Sequence, residues 1–445
     1  MKIKFFIDDF RKTYFNKDSY IKMFVGFSCG IPAMLRLSVL DIWLKDYGVS
    51  NTLIGFFSLL HWPYWFKFLW APFIERTDFP FLSKRFGRRR GWAIFSQCLL
   101  FIGIFGMACC DPRTSLSTLL LWASVVAFAD GCQDVSMYAY QLDGIRGKTA
   151  GISAGVFVFG YRIGMFFAKS GALYLAHFLN WKLSYHFMAF AIFICTLFVL
   201  GLHEPVISNK KEMKRLNELA NNYSSEDSLL GDIKRRVYEC LICPFKLFME
   251  QDNWKISLLL IFIYRIGDRI VQKMAKLFYI DIGFSLLDIA NAAQVFGAIA
   301  TIVGGLVGGY YVKYVGVKRS MYYLGIIHAI ACFSYLALTQ TGSDLLVLYL
   351  TIFIENTTSG ALATTFIAFL YSICNHRAYP ATQYALLWAF YELSGMFCRS
   401  IAGVLADTLG WINFFLLVPV LFVPGLFVLW KIIYDKKYQD IHQNL

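Results

Sequence analysis

Glu75-Arg76, Lys84-Arg85 and the run Gly87-Arg88-Arg89-Arg90-Gly91-Trp92 make up one short basic loop. A second, far downstream, reads Gly309-Tyr310-Tyr311-Val312-Lys313-Tyr314-Val315-Gly316-Val317-Lys318-Arg319. Each lies between apolar stretches of about 20 residues, the length that crosses a bilayer, and each follows the second such stretch of its own half. Repeated loop chemistry in the two halves of a polytopic membrane chain points to a transporter, in which related bundles rock about a central site.

Composition agrees with that class. Of the 445 residues, 58% are hydrophobic and only 16% charged, too apolar for a soluble chain of this length. A net charge of +13 can signal nucleic acid, but the cations cluster in short connections between apolar segments, which is how topology is set. The 11 cysteines fall mostly inside apolar runs (Cys98, Cys109, Cys110, Cys132, Cys195, Cys332). Their spacing suggests neither a disulfide framework nor a zinc site.

Twelve spans fit the apolar pattern, near 21–44, 51–74, 91–110, 116–140, 149–176, 181–202, 255–281, 287–312, 318–339, 344–372, 381–407 and 411–434. The expected fold is therefore an all-α integral membrane protein of two pseudo-symmetric six-helix bundles, 21–202 and 255–434. Residues 203–254 form the linker between them, 1–20 an N-terminal segment and 435–445 a tail. Asp8-Asp9 leaves no signal-peptide core, and Ile3, Phe6, Phe10 and Tyr14 against Lys2, Arg11 and Lys12 suit a short helix on the membrane surface. Cytoplasmic placement of both termini puts Arg76, Lys84, Arg85, Arg88, Arg89, Arg90, Arg146, Lys148, Lys313, Lys318, Arg319 and Arg377 inside. Little besides Lys45, Arg113 and Lys182 is left outside.

Six plus six spans, a long middle connection and repeated basic loops resemble the major facilitator superfamily. Its loop signature runs roughly G-x-x-x-D-R-x-G-R-R. Glu75-Arg76 and Gly87-Arg88-Arg89 fill the first copy, with extra residues before the glycine, and in the echo (Gly316, Lys318, Arg319) Lys313 replaces the acid. An acid that meets a helix N-terminus or a neighbouring arginine in one conformer only acts as a latch. The alternative is that these cations only enforce topology.

Within the superfamily the chain resembles the AmpG-type muropeptide permeases. The likeness rests on Gly26-Phe27-Ser28-Cys29-Gly30-Ile31-Pro32, Lys67-Phe68-Leu69-Trp70-Ala71-Pro72, Gln133-Asp134-Val135 and Gly160-Tyr161-Arg162-Ile163-Gly164 in the first half. Gly267-Asp268, Glu355-Asn356 and Ala381-Thr382-Gln383-Tyr384 carry it in the second. It implies import, driven by the proton-motive force, of N-acetylglucosaminyl-anhydro-N-acetylmuramic acid with or without its stem peptide. One departure is Tyr138, which stands where the family pattern has a second acid. Asp130, one turn before Asp134 on the same face, can replace that acid. Lys169 is also unexpected.

Charges in mid-membrane cost roughly 2.5–3.5 kcal/mol each on insertion scales and so face a cavity or a partner. Asp134, Asp130, Asp268 and Glu355 are the candidate proton carriers. Gln133, Arg162, Arg265, Arg269 and Lys273 are the candidate cargo ligands, and a cation such as Arg162 can approach Asp134. Each has a plainer reading. Arg265 and Asp268 can neutralise each other, Lys273 and Lys276 can snorkel, and Glu355 can bond Asn356 and Thr357. His61 and His328 read as packing residues, while Trp62, Trp65 and Trp388 can stack on sugars.

The expectation is a proton-coupled transporter in the bacterial inner membrane, working as a monomer on a small glycan or glycopeptide. Neither cofactor, metal, catalytic residue nor nucleic-acid partner is expected. The alternatives are the same fold with drifted cargo, such as acetyl-CoA or another anionic solute, and a membrane-embedded enzyme or sensor. The latter is disfavoured because no nucleophile–base pair or phosphate loop is legible.

Overall fold

The computed structural model describes residues 13–49, 62–143, 150–204, 246, 248–250, 254–374 and 380–434. Most of the 203–254 linker, the segment 1–12, the tail 435–445, His61, Arg146, Lys148, Arg377 and the side chains of Trp62 and Trp65 lie outside the described residues. Among the described residues the regular structure is helical, and eight helices are long and apolar enough to cross a membrane. One of these, Pro380–Tyr434, is two spans that turn at Gly410 (φ 69°, ψ 162°). The first span is broken into Lys17–Met34, a π-helical Leu35–Val39 and Leu40–Asp46. The seventh is divided into Trp254–Ile263 and Ile266–Asp281. The described part of the second ends in Ala71–Arg76. These interruptions explain why fewer uninterrupted spans are found than the apolar pattern predicts.

The sequence repeat is visible as geometry. Gly87 (φ 90°, ψ 164°) and Gly316 (φ 82°, ψ 160°) are the N-caps of the third and ninth spans, Arg88–Cys109 and Val317–Ala331. Both sit in the left-handed region that glycine enters without steric cost. At the opposite end each half closes itself with the same device. Trp181 Nε1 donates to Asp46 at 2.7 Å, and Trp411 Nε1 donates to Asp281 at 3.1 Å. Trp43 packs on Trp181 and Tyr185 in one half, as Phe278 packs on Trp411 and Phe415 in the other.

Small residues let the spans approach. A Cβ at Gly160, on the fifth span Ala150–Phe178, would stand 1.8 Å from Met23 O on the first, so only glycine fits that crossing. The two halves meet at the end that carries the basic loops. There Gly155 faces Gly305 and Gly309, the Tyr138 ring lies 4.5 Å from that of Tyr384, and Tyr371 Oη donates to Gln141 Oε1 at 3.3 Å. Residues just before the first span join this contact. Tyr14 Oη donates to Leu306 O at 2.7 Å, and Lys313 Nζ to the Thr13 hydroxyl at 2.9 Å.

Candidate functional site

Pro32 organises the first charge centre. Lacking an N–H, it leaves the carbonyl of Ser28, four residues earlier, without its helical donor, and Gln133 Nε2 takes that oxygen at 2.9 Å. Gln133, an expected cargo ligand, is fully buried, and this bond ties the fourth span to the first. The π-helical turn that follows carries Arg36. Such turns recur at functional positions. Arg36 Nε and Nη2 reach one Asp130 oxygen at 3.2 and 3.0 Å.

One turn along the fourth span (Leu116–Asp143), Asp134 accepts from Lys67 Nζ at 2.6 Å and from Tyr64 Oη at 2.7 Å. The Tyr64 ring lies 4.1 Å from both cations. Asp130 and Asp134 thus share a face, as their spacing requires. The cation on Asp134 is Lys67, however, and not Arg162, which corrects the expectation. Each acid thus lies against a buried basic side chain, Asp130 against Arg36 and Asp134 against Lys67.

The second centre is built on the break in the seventh span. Arg265 is its N-cap (φ −110°, ψ 20°), so its side chain leaves the helical register. It pairs with Asp268 and donates from Nη1 to Tyr391 Oη at 2.8 Å. Asp268 also accepts from Ser359 Oγ at 2.8 Å and from Gln272 Nε2 at 3.1 Å. His328 Nε2 stands 3.3 Å from its Oδ1, so His328 is not the packing residue expected. Glu355 is 5% exposed, and its carboxylate makes no hydrogen bond among the described residues. Asn356, its expected partner, donates to Ile352 O and faces Thr301 instead.

The cationic stripe of the seventh span is divided. Arg269 pairs with Glu392 at 2.8 Å and covers the Tyr391 ring at 3.9 Å, so it is already spent inside the half. Lys273 and Lys276 are exposed, and the charge on Lys276 reaches Lys169 on the fifth span. Arg162 belongs with this second centre, since the charges of Arg265 and Asp268 reach it across the halves. Among the described residues it has neither a hydrogen bond nor an ion pair.

The third feature lies at the basic end. Glu75 is fully buried although it ends the second span. Its carboxylate accepts from the backbone N–H groups of Ala381 (2.9 Å) and Thr382 (2.8 Å) and from the Thr382 hydroxyl. Those groups open the eleventh span after Pro380, where unpaired N–H groups and the helix dipole favour an anion. Arg89 Nη1 lies 3.6 Å from the same carboxylate. Glu204, just past the sixth span, accepts from the Arg89 and Arg90 backbone N–H groups at 2.8 and 3.1 Å. The Arg90 side chain reaches Val199 O at 3.3 Å, which ties the loop to its own half. Arg76 and Arg88 are half-buried beside it. Among the described residues the second loop has no counterpart of this cap. Lys318 is half-buried and Arg319 exposed, and neither makes a hydrogen bond or ion pair among the described residues.

Arg36, Lys67, His328 and Glu392 are the residues that sequence reasoning passed over. Arg36 had a usable signal, a lone arginine within an apolar span, four residues after Pro32. Lys67 was legible only as part of a motif.

The sequence profile of the Major Facilitator Superfamily matches residues 23–397. The chain is 31% identical over 407 residues to AmpG 4 of Rickettsia felis, covering 91% of this chain and 94% of that one. It is 30% identical over 428 residues to the anhydromuropeptide permease of Escherichia coli K12, covering 96% and 82%. Solved structures share the fold at low identity. The proton:xylose symporter XylE bound to 6-bromo-6-deoxy-D-glucose superposes with a TM-score of 0.63 at 14% identity, covering 94% of each chain. FucP in the outward conformation gives 0.65 at 12% identity, covering 94% and 98%.

Proposed function

From the premise that this chain belongs to the Major Facilitator Superfamily, among its AmpG-type transporters, we propose that it imports anhydro-muropeptides with protons. The membrane is the bacterial inner membrane, with both termini cytoplasmic. The observation that carries this reading is similarity along nearly the whole chain to a protein named as an anhydromuropeptide permease. The Lys/Arg-rich loops make the basic end cytoplasmic, so contact between the halves there leaves the cargo path open to the outside.

The cargo N-acetylglucosaminyl-anhydro-N-acetylmuramic acid offers hydroxyls, acetamido groups and a carboxylate. Arg162, which makes neither a hydrogen bond nor an ion pair among the described residues, is the anchor for that carboxylate, because a guanidinium holds one by two parallel hydrogen bonds. Lys169 and Lys276 add positive potential, and the Trp388 ring is available for stacking. Asp130 and Asp134, paired with Arg36 and Lys67 on other spans, brace the first half. Proton coupling falls to the second half, where Glu355 and Asp268 are not fully matched by cations.

Glu75 on the eleventh span is the latch of the outward state. Opening the cytoplasmic side must withdraw the carboxylate from the Ala381 and Thr382 N–H groups, so the contact exists in one conformer only. Arg89 supports it, and Gly87, Arg88 and Arg76 shape the loop. Expression in a bacterium that lacks its own muropeptide permease tests the function. Return of wall recycling supports it, and full-length insertion without recycling contradicts it.

A further inference from the structure

His328 on the ninth span and Asp268 on the seventh are fully buried, and Glu355 on the tenth, Leu345–Ile373, is 5% exposed. His328 Nε2, an Asp268 oxygen and a Glu355 oxygen all lie within 4.8 Å of one another. The imidazole is oriented from behind. Its Nδ1 is 2.8 Å from the Thr358 hydroxyl, whose single hydrogen goes to the carbonyl of Ile354 (2.8 Å) or Glu355 (2.9 Å). Towards the ring that hydroxyl accepts, so Nδ1 carries the N–H and Nε2 turns a lone pair to the acids. A histidine fixed through its far nitrogen in this way is the usual state of a metal ligand. Asp268 is oriented as firmly. Ser359 Oγ (2.8 Å) and Gln272 Nε2 (3.1 Å) donate to its Oδ1, and Arg265 pairs with its Oδ2.

The placing of Nε2 and Oδ1 separates a hydrogen bond from a bound ion. The two atoms are 3.3 Å apart, yet Nε2 has no hydrogen-bond partner. A direct bond needs the oxygen near the line along which the ring nitrogen projects. A tetrahedral ion needs an offset instead. With nitrogen and oxygen ligands at about 2.1 Å, it holds them about 3.4 Å apart and puts the oxygen about 35° off that line. The separation is met, and a missing hydrogen bond is what such an offset produces. The Glu355 carboxylate makes no hydrogen bond among the described residues, so closing onto an ion costs it no partner. Its slight exposure gives the ion, and a water as fourth ligand, a way in.

The donor set selects the ion. One imidazole nitrogen with two carboxylate oxygens suits Zn2+ and its neighbours, whereas Na+, Mg2+ and Ca2+ prefer oxygen alone. Among the groups in direct contact, charge also closes. Two carboxylates and a hydroxide balance Zn2+ and Arg265, once the bound water has released a proton to solvent. Tyr391, Gln272, Ser359 and Thr358 are neutral, and Arg269 is matched by Glu392. We propose that Asp268, His328 and Glu355 form a binding site for one divalent transition ion of the zinc type. Occupancy engages the two carboxylates assigned above to proton coupling, so the ion is an inhibitor of transport. The site itself does not depend on that reading, because binding needs neither cargo nor a proton gradient.

The test uses the purified full chain without a histidine tag, in metal-free detergent, titrated with Co2+ and then with Zn2+. Tetrahedral cobalt absorbs strongly in the visible, six-coordinate cobalt weakly, and zinc is colourless. The unmodified protein should develop the strong band with about one Co2+ per chain, and Zn2+ should displace it. His328→Gln and Glu355→Gln should each lose the band. Thr358→Val, which removes only the acceptor of the Nδ1 hydrogen, should weaken Co2+ binding about tenfold. His186→Gln, on the sixth span Trp181–Gly201, should change nothing. X-ray absorption at the zinc edge of the unmodified protein decides the matter even where a variant fails to fold. It should show one imidazole, with nitrogen and oxygen ligands at about 2.0–2.1 Å. A weak six-coordinate signal alone, a strong band that survives in both His328→Gln and Glu355→Gln, or a zinc shell without imidazole would overturn the proposal. Failure to transport the disaccharide while the band still forms would count against the cargo reading alone.

Discussion

The Lys67 ammonium stands 2.6 Å from the Asp134 carboxylate, and both side chains are buried. Breaking a buried pair by removing one member strands the other charge, at a cost of about 3–5 kcal/mol, whereas removing both is far cheaper. Lys67→Gln and Asp134→Asn should each lower the thermal midpoint in detergent sharply, and the double variant should recover most of the loss. A double variant no more stable than the singles would mean that the two residues do not depend on each other.

Glu75 protects two specific amide protons, those of Ala381 and Thr382. Glu75→Gln keeps the shape and loses the charge that favours a helix N-terminus, so the latch should weaken by about 1–2 kcal/mol. Hydrogen exchange over 380–387 should then be about tenfold faster, since 1.4 kcal/mol corresponds to a factor of ten. Unchanged exchange would place the stability of this contact elsewhere, for instance in the aromatic pair Tyr138 and Tyr384.

Arg88→Ala with Arg89→Ala should slow transport while leaving insertion and cargo binding nearly intact. The reason is that Arg89 meets Glu75 in this conformer, so its loss changes the balance between states rather than the cargo site. If protease mapping finds the double variant inserted in the opposite orientation, these arginines act only on topology.

Arg162 and Arg269 should separate cleanly in binding assays. Arg162→Gln should weaken the disaccharide acid by about ten- to a hundredfold and its carboxamide analogue little, in line with loss of a bidentate charged contact. Arg269→Gln, which strands Glu392 and uncovers Tyr391, should weaken both ligands alike. Equal losses in Arg162→Gln would remove it from the cargo site.

The fold was legible because hydropathy and loop charge are local properties, and a bilayer imposes a fixed span length on every apolar run. The Glu75 contact was half legible. The loop motif pointed to a latch acid, but the helix end it meets lies in the other half of the chain. Asp130 and Asp134 were correctly put on one face by their spacing. Their partners Arg36 and Lys67 sit on other spans, and pairing across spans leaves no periodic trace. His328 looked like a lone packing residue for the same reason, since only the folded bundle sets it against Asp268. The pairing of Arg269 was not legible because Glu392 lies far along the chain, on the eleventh span.

The most direct measurement is uptake of radiolabelled N-acetylglucosaminyl-anhydro-N-acetylmuramic acid by proteoliposomes of the purified chain, with the outside buffer more acidic than the inside. The account predicts accumulation above the external concentration that collapses with a protonophore and is not competed by excess acetyl-CoA. Gradient-driven accumulation of acetyl-CoA with no uptake of the disaccharide would contradict it.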